Sequence, residues 1–154
     1  MKRVAVFPGS FDPITKGHEE IVRRAAPMFD EIIVAVGRNT SKSYLFSESQ
    51  RLDWVRETFA DMPQVSVVFF EGLTIDFCKN NNARFILRGV RNSADFEYEM
   101  AIAHMNKAMY EGVETIALFS DPHVVSLSST IIREIIKNKG AVSQFLPASV
   151  NVYG

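Results

Sequence analysis

Short apolar, largely β-branched runs recur along the chain at positions 4–7, 32–36, 65–70, 85–87 and 115–119, separated by longer segments that mix polar and apolar residues. The runs predict five strands, and their near-continuous apolar content predicts strands covered on both faces. The intervening segments predict helices over 17–29, 47–60, 73–81 and 93–110, followed by a last one over 128–139. Ser47 and Gln50 form an S-x-x-Q capping box at the start of the second helix, and Gly140 stands where the last should stop. Parallel neighbours need a crossover, normally a helix, so strict alternation points to a Rossmann-like α/β fold. The expected architecture is a single domain over 1–154, with a five-stranded parallel sheet and helices on both faces. In such sheets ligands bind beyond the carboxyl ends of the strands, so the turns there carry the candidate chemistry.

Composition narrows the class without naming a function. The chain has 154 residues, 47% hydrophobic and 23% charged, which excludes disordered, collagen-like and disulfide-dense proteins. Seventeen Lys and Arg against eighteen Asp and Glu give a net charge of −1, without the excess expected of a nucleic-acid-binding domain. The one cysteine, Cys78, has no internal partner, and no His/Cys spacing suggests structural zinc. The first apolar run breaks at Pro8 and Gly9, too short for a signal-peptide core, and nothing approaches a membrane span. A cytoplasmic protein is expected.

The turn after the first strand reads Pro8-Gly9-Ser10-Phe11-Asp12-Pro13-Ile14-Thr15-Lys16-Gly17-His18 and leads into a helix. Helix-start amides, two glycines and the donors of Ser10 and His18 suit an anion, although a histidine there also caps its own helix. Neither G-x-G-x-x-G nor G-x-x-x-x-G-K-[ST] occurs, which argues against a dinucleotide dehydrogenase or P-loop ATPase. Lys42 lies in a polar loop after the second strand, while Arg88, Gly89, Val90 and Arg91 follow the fourth apolar run. An arginine ending an apolar strand needs a partner, because an unpaired cation there is poorly solvated.

Asp95, Glu99, Ile102 and Asn106 share one face of the next predicted helix. Glu99 is placed to orient Arg91 or accept from a ligand, and Asp95 to act there or remain at the surface. Tyr98, Ile102, Met105 and Met109 form an adjoining apolar stripe, expected to be core or an oligomer contact. In the last turn Ser128, Ser129 and Thr130 offer capping or phosphate-binding hydroxyls, while Ile131, Ile132, Ile135 and Ile136 supply a buried face.

Thr15-Lys16-Gly17-His18 together with Ser128-Ser129-Thr130-Ile131-Ile132-Arg133 resembles the paired T/H-x-G-H and S-S-T-x-x-R signatures of the nucleotidyltransferase superfamily. Within it, residues 8–15, Arg88-Gly89-Val90-Arg91, 94–100 and His104-Met105-Asn106 are similar to bacterial phosphopantetheine adenylyltransferases, a likeness that continues to Phe145-Leu146-Pro147. The resemblance implies a nucleotidyltransferase fold and AMP transfer from ATP to 4'-phosphopantetheine, giving 3'-dephospho-CoA and pyrophosphate in coenzyme A biosynthesis. It also implies Mg2+, a homohexamer and feedback inhibition by coenzyme A.

By the same likeness, His18, Lys42 and Arg91 are the catalytic candidates. Ser10, Phe11, His18, Gly89, Val90, Arg91, Glu99, Val124, Val125, Ser126, Leu127, Ser128, Ser129 and Thr130 are the ATP candidates. Ser10, Lys42, Thr74 and Arg88 map to the phosphopantetheine site. Ser10 stands where many relatives carry threonine, Thr74 where an apolar residue is common, and 121–126 lacks their tryptophan.

The chemistry is coherent, because a phosphate nucleophile needs no base, only cations and donors that bring two anions together. Alternatives are a different acceptor, such as nicotinamide mononucleotide, CTP transfer to a phosphorylated alcohol, or a non-catalytic nucleotide sensor.

Overall fold

A computed structural model describes all residues, 1–154. Five parallel strands, β1 (Val4–Gly9), β2 (Glu31–Arg38), β3 (Val65–Glu71), β4 (Phe85–Val90) and β5 (Glu114–Phe119), form one sheet in the order β3-β2-β1-β4-β5. Helices α1 (Lys16–Ala25), α2 (Glu48–Thr58), α3 (Thr74–Asn80) and α4 (Ser93–Met109) make the crossovers, and α5 (Ser129–Lys137) follows β5. The alternation of side chains along each strand divides the core in two. Ala5, Phe7, Ile32, Val34 and Val36 pack with residues of α1, α2 and α5 on one face, whereas Val4, Val6, Ile33 and Ala35 pack with Ile75 and Cys78 of α3 on the other. Each large aliphatic side chain buried this way contributes about 1.5–3 kcal/mol.

Strand order reverses between β1 and β4, and the sheet opens there. β1 pairs with β2 over six residues and β4 with β5 over six, but β1 meets β4 only at Ala5↔Phe85 and Val6↔Ile86. Pro8 has no amide to extend that ladder. The carboxyl ends of β1 and β4 therefore diverge into a crevice.

The expected elements form, with differences at their ends. α1 gives way at Ala26–Met28 to a 3-10 turn because Pro27 cannot continue an α-helix. Ser47 and Gln50 form the expected capping box on α2. β4 extends through Arg88 and Gly89 to Val90, held by pairing with Ala117, Leu118 and Phe119 of β5, so Arg88 is a strand residue instead of a loop residue. At the end of α5 the left-handed position falls on Lys139 (φ 58°), with Lys139 and Gly140 donating back to Ile136 and Ile135. Gly140 is required one residue later for a different reason: a Cβ there would lie 2.5 Å from Ile135 Cγ2.

One side-chain expectation fails and another is narrowed. Ile131 is exposed while Ile132 is buried, so the buried face of α5 is narrower than its four isoleucines suggest. On α4 Tyr98, Ile102, Met105 and Met109 are exposed, and the buried residues are Glu99 and Asn106. The apolar stripe is not core in this chain, because α4 turns its polar face to the crevice.

Candidate functional site

Two cavities, of about 360 and 290 Å³, occupy the crevice and share Pro8, Gly9, Ser10, Lys42, Arg88 and Glu99 as a common wall. The first extends over α1 toward the start of α5. The second runs between the ends of β1 and β2, the start of α3 and the face of α4. Chemistry that joins two molecules needs such an arrangement, with both reactants open to one set of donors.

His18 occupies the third position of α1, where its backbone amide donates to Thr15 Oγ1 while Nδ1 accepts from the Thr15 amide at 3.0 Å. Local capping and ligand binding are thus complementary roles. Because Nδ1 is the acceptor, the proton of the neutral ring sits on Nε2, which has no protein partner and belongs to a residue lining the first cavity. Burial, followed by the charges of Arg88 and Arg91, pushes the ring's pKa down from 6.5 to about 4. His18 is consequently a neutral donor at pH 7.

Between about pH 6.5 and 4 the unfolded chain takes up a proton at this ring that the folded chain refuses. Stability therefore falls as the pH drops through that window. Nitrogen-resolved NMR of the ligand-free protein should show the Nε2–H tautomer at pH 6 and a midpoint near 4. A midpoint near 6.5 would contradict the arrangement.

Phe11 supports the ring from behind. It is buried, holds a left-handed backbone (φ 49°) and meets His18 edge-on at 5.0 Å, so its place in the ATP set is to position His18. Gly89 supports it from β4, where a Cβ would approach Ile21 Cγ1 to 3.1 Å and push α1 away.

Arg88 spans the split in the sheet. Its Nη1 donates to the Pro8 carbonyl at 2.7 Å, while Nε and Nη2 form a bidentate pair with Glu99 at 2.9 and 2.7 Å. Two of its five N–H groups remain for a ligand in either cavity. Glu99 therefore orients Arg88, not Arg91, and both its oxygens are already engaged. Asp95 takes the role beside Arg91, accepting from Nε at 2.9 Å. The Arg91 hydrogen bonds hold the Asp95 carboxyl below the usual carboxylate range. Arg91 Nη1 also donates to the Leu127 carbonyl, tying β4 to the approach of α5.

The start of α5 is open. Ser128 is its N-cap but makes no capping bond, Ser129 Oγ donates to the Pro13 carbonyl, and Thr130 Oγ1 accepts from Arg133, which also donates to the Asp12 carbonyl. The first helical bond is from the Ile132 amide to Ser128, leaving the preceding amides for an anion at the positive end of the helix dipole. By contrast, side chains cap α1, α2 and α4. No capping is done by any of the three hydroxyls.

With the geometry of the crevice in place, comparison with known proteins gives it a family. A cytidylyltransferase-like family model matches residues 6–135. A phosphopantetheine adenylyltransferase of Flavobacterium psychrophilum is 51% identical over 97% of this chain and 99% of that protein. Similarly named proteins of Flavobacterium johnsoniae and Cytophaga hutchinsonii are 49% and 44% identical, each over 97% of this chain and covering 98% and 100% of their own lengths. The chain belongs to the phosphopantetheine adenylyltransferase family.

Of the ATP set predicted for a family member, the first cavity brings together Ser10, Phe11, His18, Gly89, Arg91, Glu99, Val124, Leu127, Ser128, Ser129 and Thr130. Three do not join it. Val90 is a buried strand residue whose side chain points away from the crevice, while Val125 and Ser126 are exposed on the outside of the turn. The acceptor set of Ser10, Lys42, Thr74 and Arg88 converges fully on the second cavity. Tyr44, Tyr98 and Asn106 line it too. Tyr98 was concealed by its place in an apolar stripe, whereas Asn106 carried a usable signal in its shared face with Glu99. No group of three or more His, Cys, Asp or Glu converges anywhere in the structure.

Proposed function

We propose that the chain transfers AMP from ATP to 4'-phosphopantetheine, giving 3'-dephospho-CoA and pyrophosphate, as the names of its full-length relatives suggest. The observation that carries this reading is the pair of cavities meeting at Ser10, Lys42 and Arg88. ATP occupies the first, with its outer phosphates on Arg91, Ser129, Thr130 and the open start of α5. The acceptor occupies the second, its phosphate on Lys42 and Arg88 and its pantetheine arm running toward Thr74 and Asn106.

The acceptor phosphate attacks the α-phosphorus in line and pyrophosphate leaves. No proton has to be removed from the nucleophile, so a neutral His18 suits the reaction, its Nε2–H donating to the α-phosphate as charge develops. Lys42 and Arg88 offset the repulsion between the two anions. Magnesium would be held chiefly by ATP phosphate oxygens and water, since the carboxylates of Asp95 and Glu99 are taken by arginines, and would supply neutralisation of the phosphate charge.

Coenzyme A, which contains the acceptor and a nucleotide, is the expected feedback inhibitor at this same crevice. A homohexamer in the cytoplasm completes the proposal. The exposed apolar residues of α4 supply contact surface for assembly, and no helix is long and apolar enough to cross a membrane.

The test is pyrophosphate release from magnesium–ATP, dependent on 4'-phosphopantetheine, in wild type and Lys42→Ala. Lys42 has no side-chain partner to disturb, so its loss should raise the KM for phosphopantetheine by about tenfold or more with little change for ATP. An effect confined to ATP would assign the Lys42 loop to the nucleotide.

A further inference from the structure

Arg51, on α2, lies outside every motif described above. It is 1% exposed, yet its hydrogen bonds go only to uncharged carbonyls: Nη1 donates to Ser10 at 2.7 Å and to Gly37 at 3.1 Å. Its Nε and Nη2 are buried without a hydrogen-bond partner. The guanidinium carbon lies 4.0 Å from the centroid of the Tyr44 ring. Burying a cation without an anion to pair it is costly, and a core position could be filled by an apolar side chain of similar volume. The site around Arg51 explains what the charge can do there.

Its three contacts are three parts of the proposed acceptor site. Ser10 opens the turn after β1 and lines both cavities, Gly37 lies in β2 at the second, and Tyr44 lines the second from the loop that carries Lys42. The Tyr44 hydroxyl accepts from the Asn39 amide at 2.7 Å, closing that loop across Lys42. One rigid fork therefore joins two strand ends to the Lys42 loop, with an unneutralised positive charge behind the place where two phosphates must meet.

We infer that Arg51 is a positioning residue for the acceptor phosphate, fixing Ser10 and the Tyr44–Lys42 loop and adding positive potential from beneath the site. It touches no substrate. The inference rests on the proposed function and deepens it by assigning a buried determinant of acceptor binding.

Steady-state kinetics on the full chain, varying ATP and 4'-phosphopantetheine separately, test it with Arg51→Met, Arg51→Lys and Tyr44→Leu. Arg51→Met should raise the KM for phosphopantetheine at least about tenfold while the KM for ATP moves less than about threefold. Arg51→Lys, which keeps the charge, should recover much of the loss. Tyr44→Leu, which leaves the buried cation in place, should shift the same constant by a smaller factor. A purely structural Arg51 would lower thermal stability without this selectivity. Equal changes in both constants, or none, in Arg51→Met would overturn the inference, and if Arg51→Met does not fold, Arg51→Gln read in the same way decides it. Wild-type protein that is inactive with phosphopantetheine would instead overturn the functional reading beneath it.

Discussion

Replacing His18 by alanine lowers turnover by about two to three orders of magnitude while ATP binding changes little. The expectation follows from how the ring is held. Nδ1 is committed to the Thr15 amide, and Phe11 fixes the ring plane from one side, so Nε2–H is presented to the cavity with no choice of tautomer. A pKa near 4 keeps the ring neutral through the working range. Such a donor acts as charge accumulates in the transition state, when it is worth more than against the ground-state phosphate. It follows that kcat and kcat/KM should fall together. The pH profile of kcat/KM between 6 and 8, which reports the free enzyme, should carry no inflection from His18. A variant with normal kcat and weakened ATP binding would make His18 a ground-state ligand and displace it from the mechanism.

Arg88→Ala should damage both activity and folding, by separable routes. Removing the fork takes away two N–H groups facing the acceptor and lowers kcat/KM for phosphopantetheine by at least about a hundredfold. It also strands Glu99, which is 8% exposed and has no other partner for either oxygen. Breaking a buried pair costs about 3–5 kcal/mol, but the Arg88 side chain remains 31% exposed, so about 2–3 kcal/mol and a Tm lower by about 5–10 °C are expected. Combining Arg88→Met with Glu99→Gln removes the stranded charge. That double variant should regain most of the Tm and none of the activity, as read by thermal denaturation beside steady-state kinetics. Recovery of activity with stability would mean that Arg88 serves only to hold the sheet together.

The positions of the strands were legible because their apolar runs are buried on both faces, as at Ile33 and Val34, and local pattern suffices to show that. The length of β4 was not, because Arg88 and Gly89 break the apolar run while the backbone continues pairing with β5. Pattern reading left the stripe of α4 open between core and an assembly contact. Its Tyr98 and Met105 look like core, and only the approach of Arg88 from another element makes the burial of Glu99 favourable.

The site residues marked by motif were found where a short element carries them, as for His18 and the start of α5. Val125 and Ser126 lie outside the cavity lining, because a turn has no periodicity to show which residues face inward. Arg51 leaves a trace in the sequence: it lies four residues before Val55 and seven before Thr58, the other buried residues of α2. A charged residue on the inward face of a helix signals a buried polar contact, though its partners just after β1 and on β2 are invisible to spacing along the chain.

Acceptor choice is the central claim, and product mass tests it most directly. Purified protein is supplied with magnesium–ATP and, separately, 4'-phosphopantetheine or nicotinamide mononucleotide, with pyrophosphate and the new product followed together. The expected result is 3'-dephospho-CoA in equal amount to pyrophosphate from phosphopantetheine, and no adenylylated product from the mononucleotide. Protein that binds ATP yet forms no dephospho-CoA would contradict it.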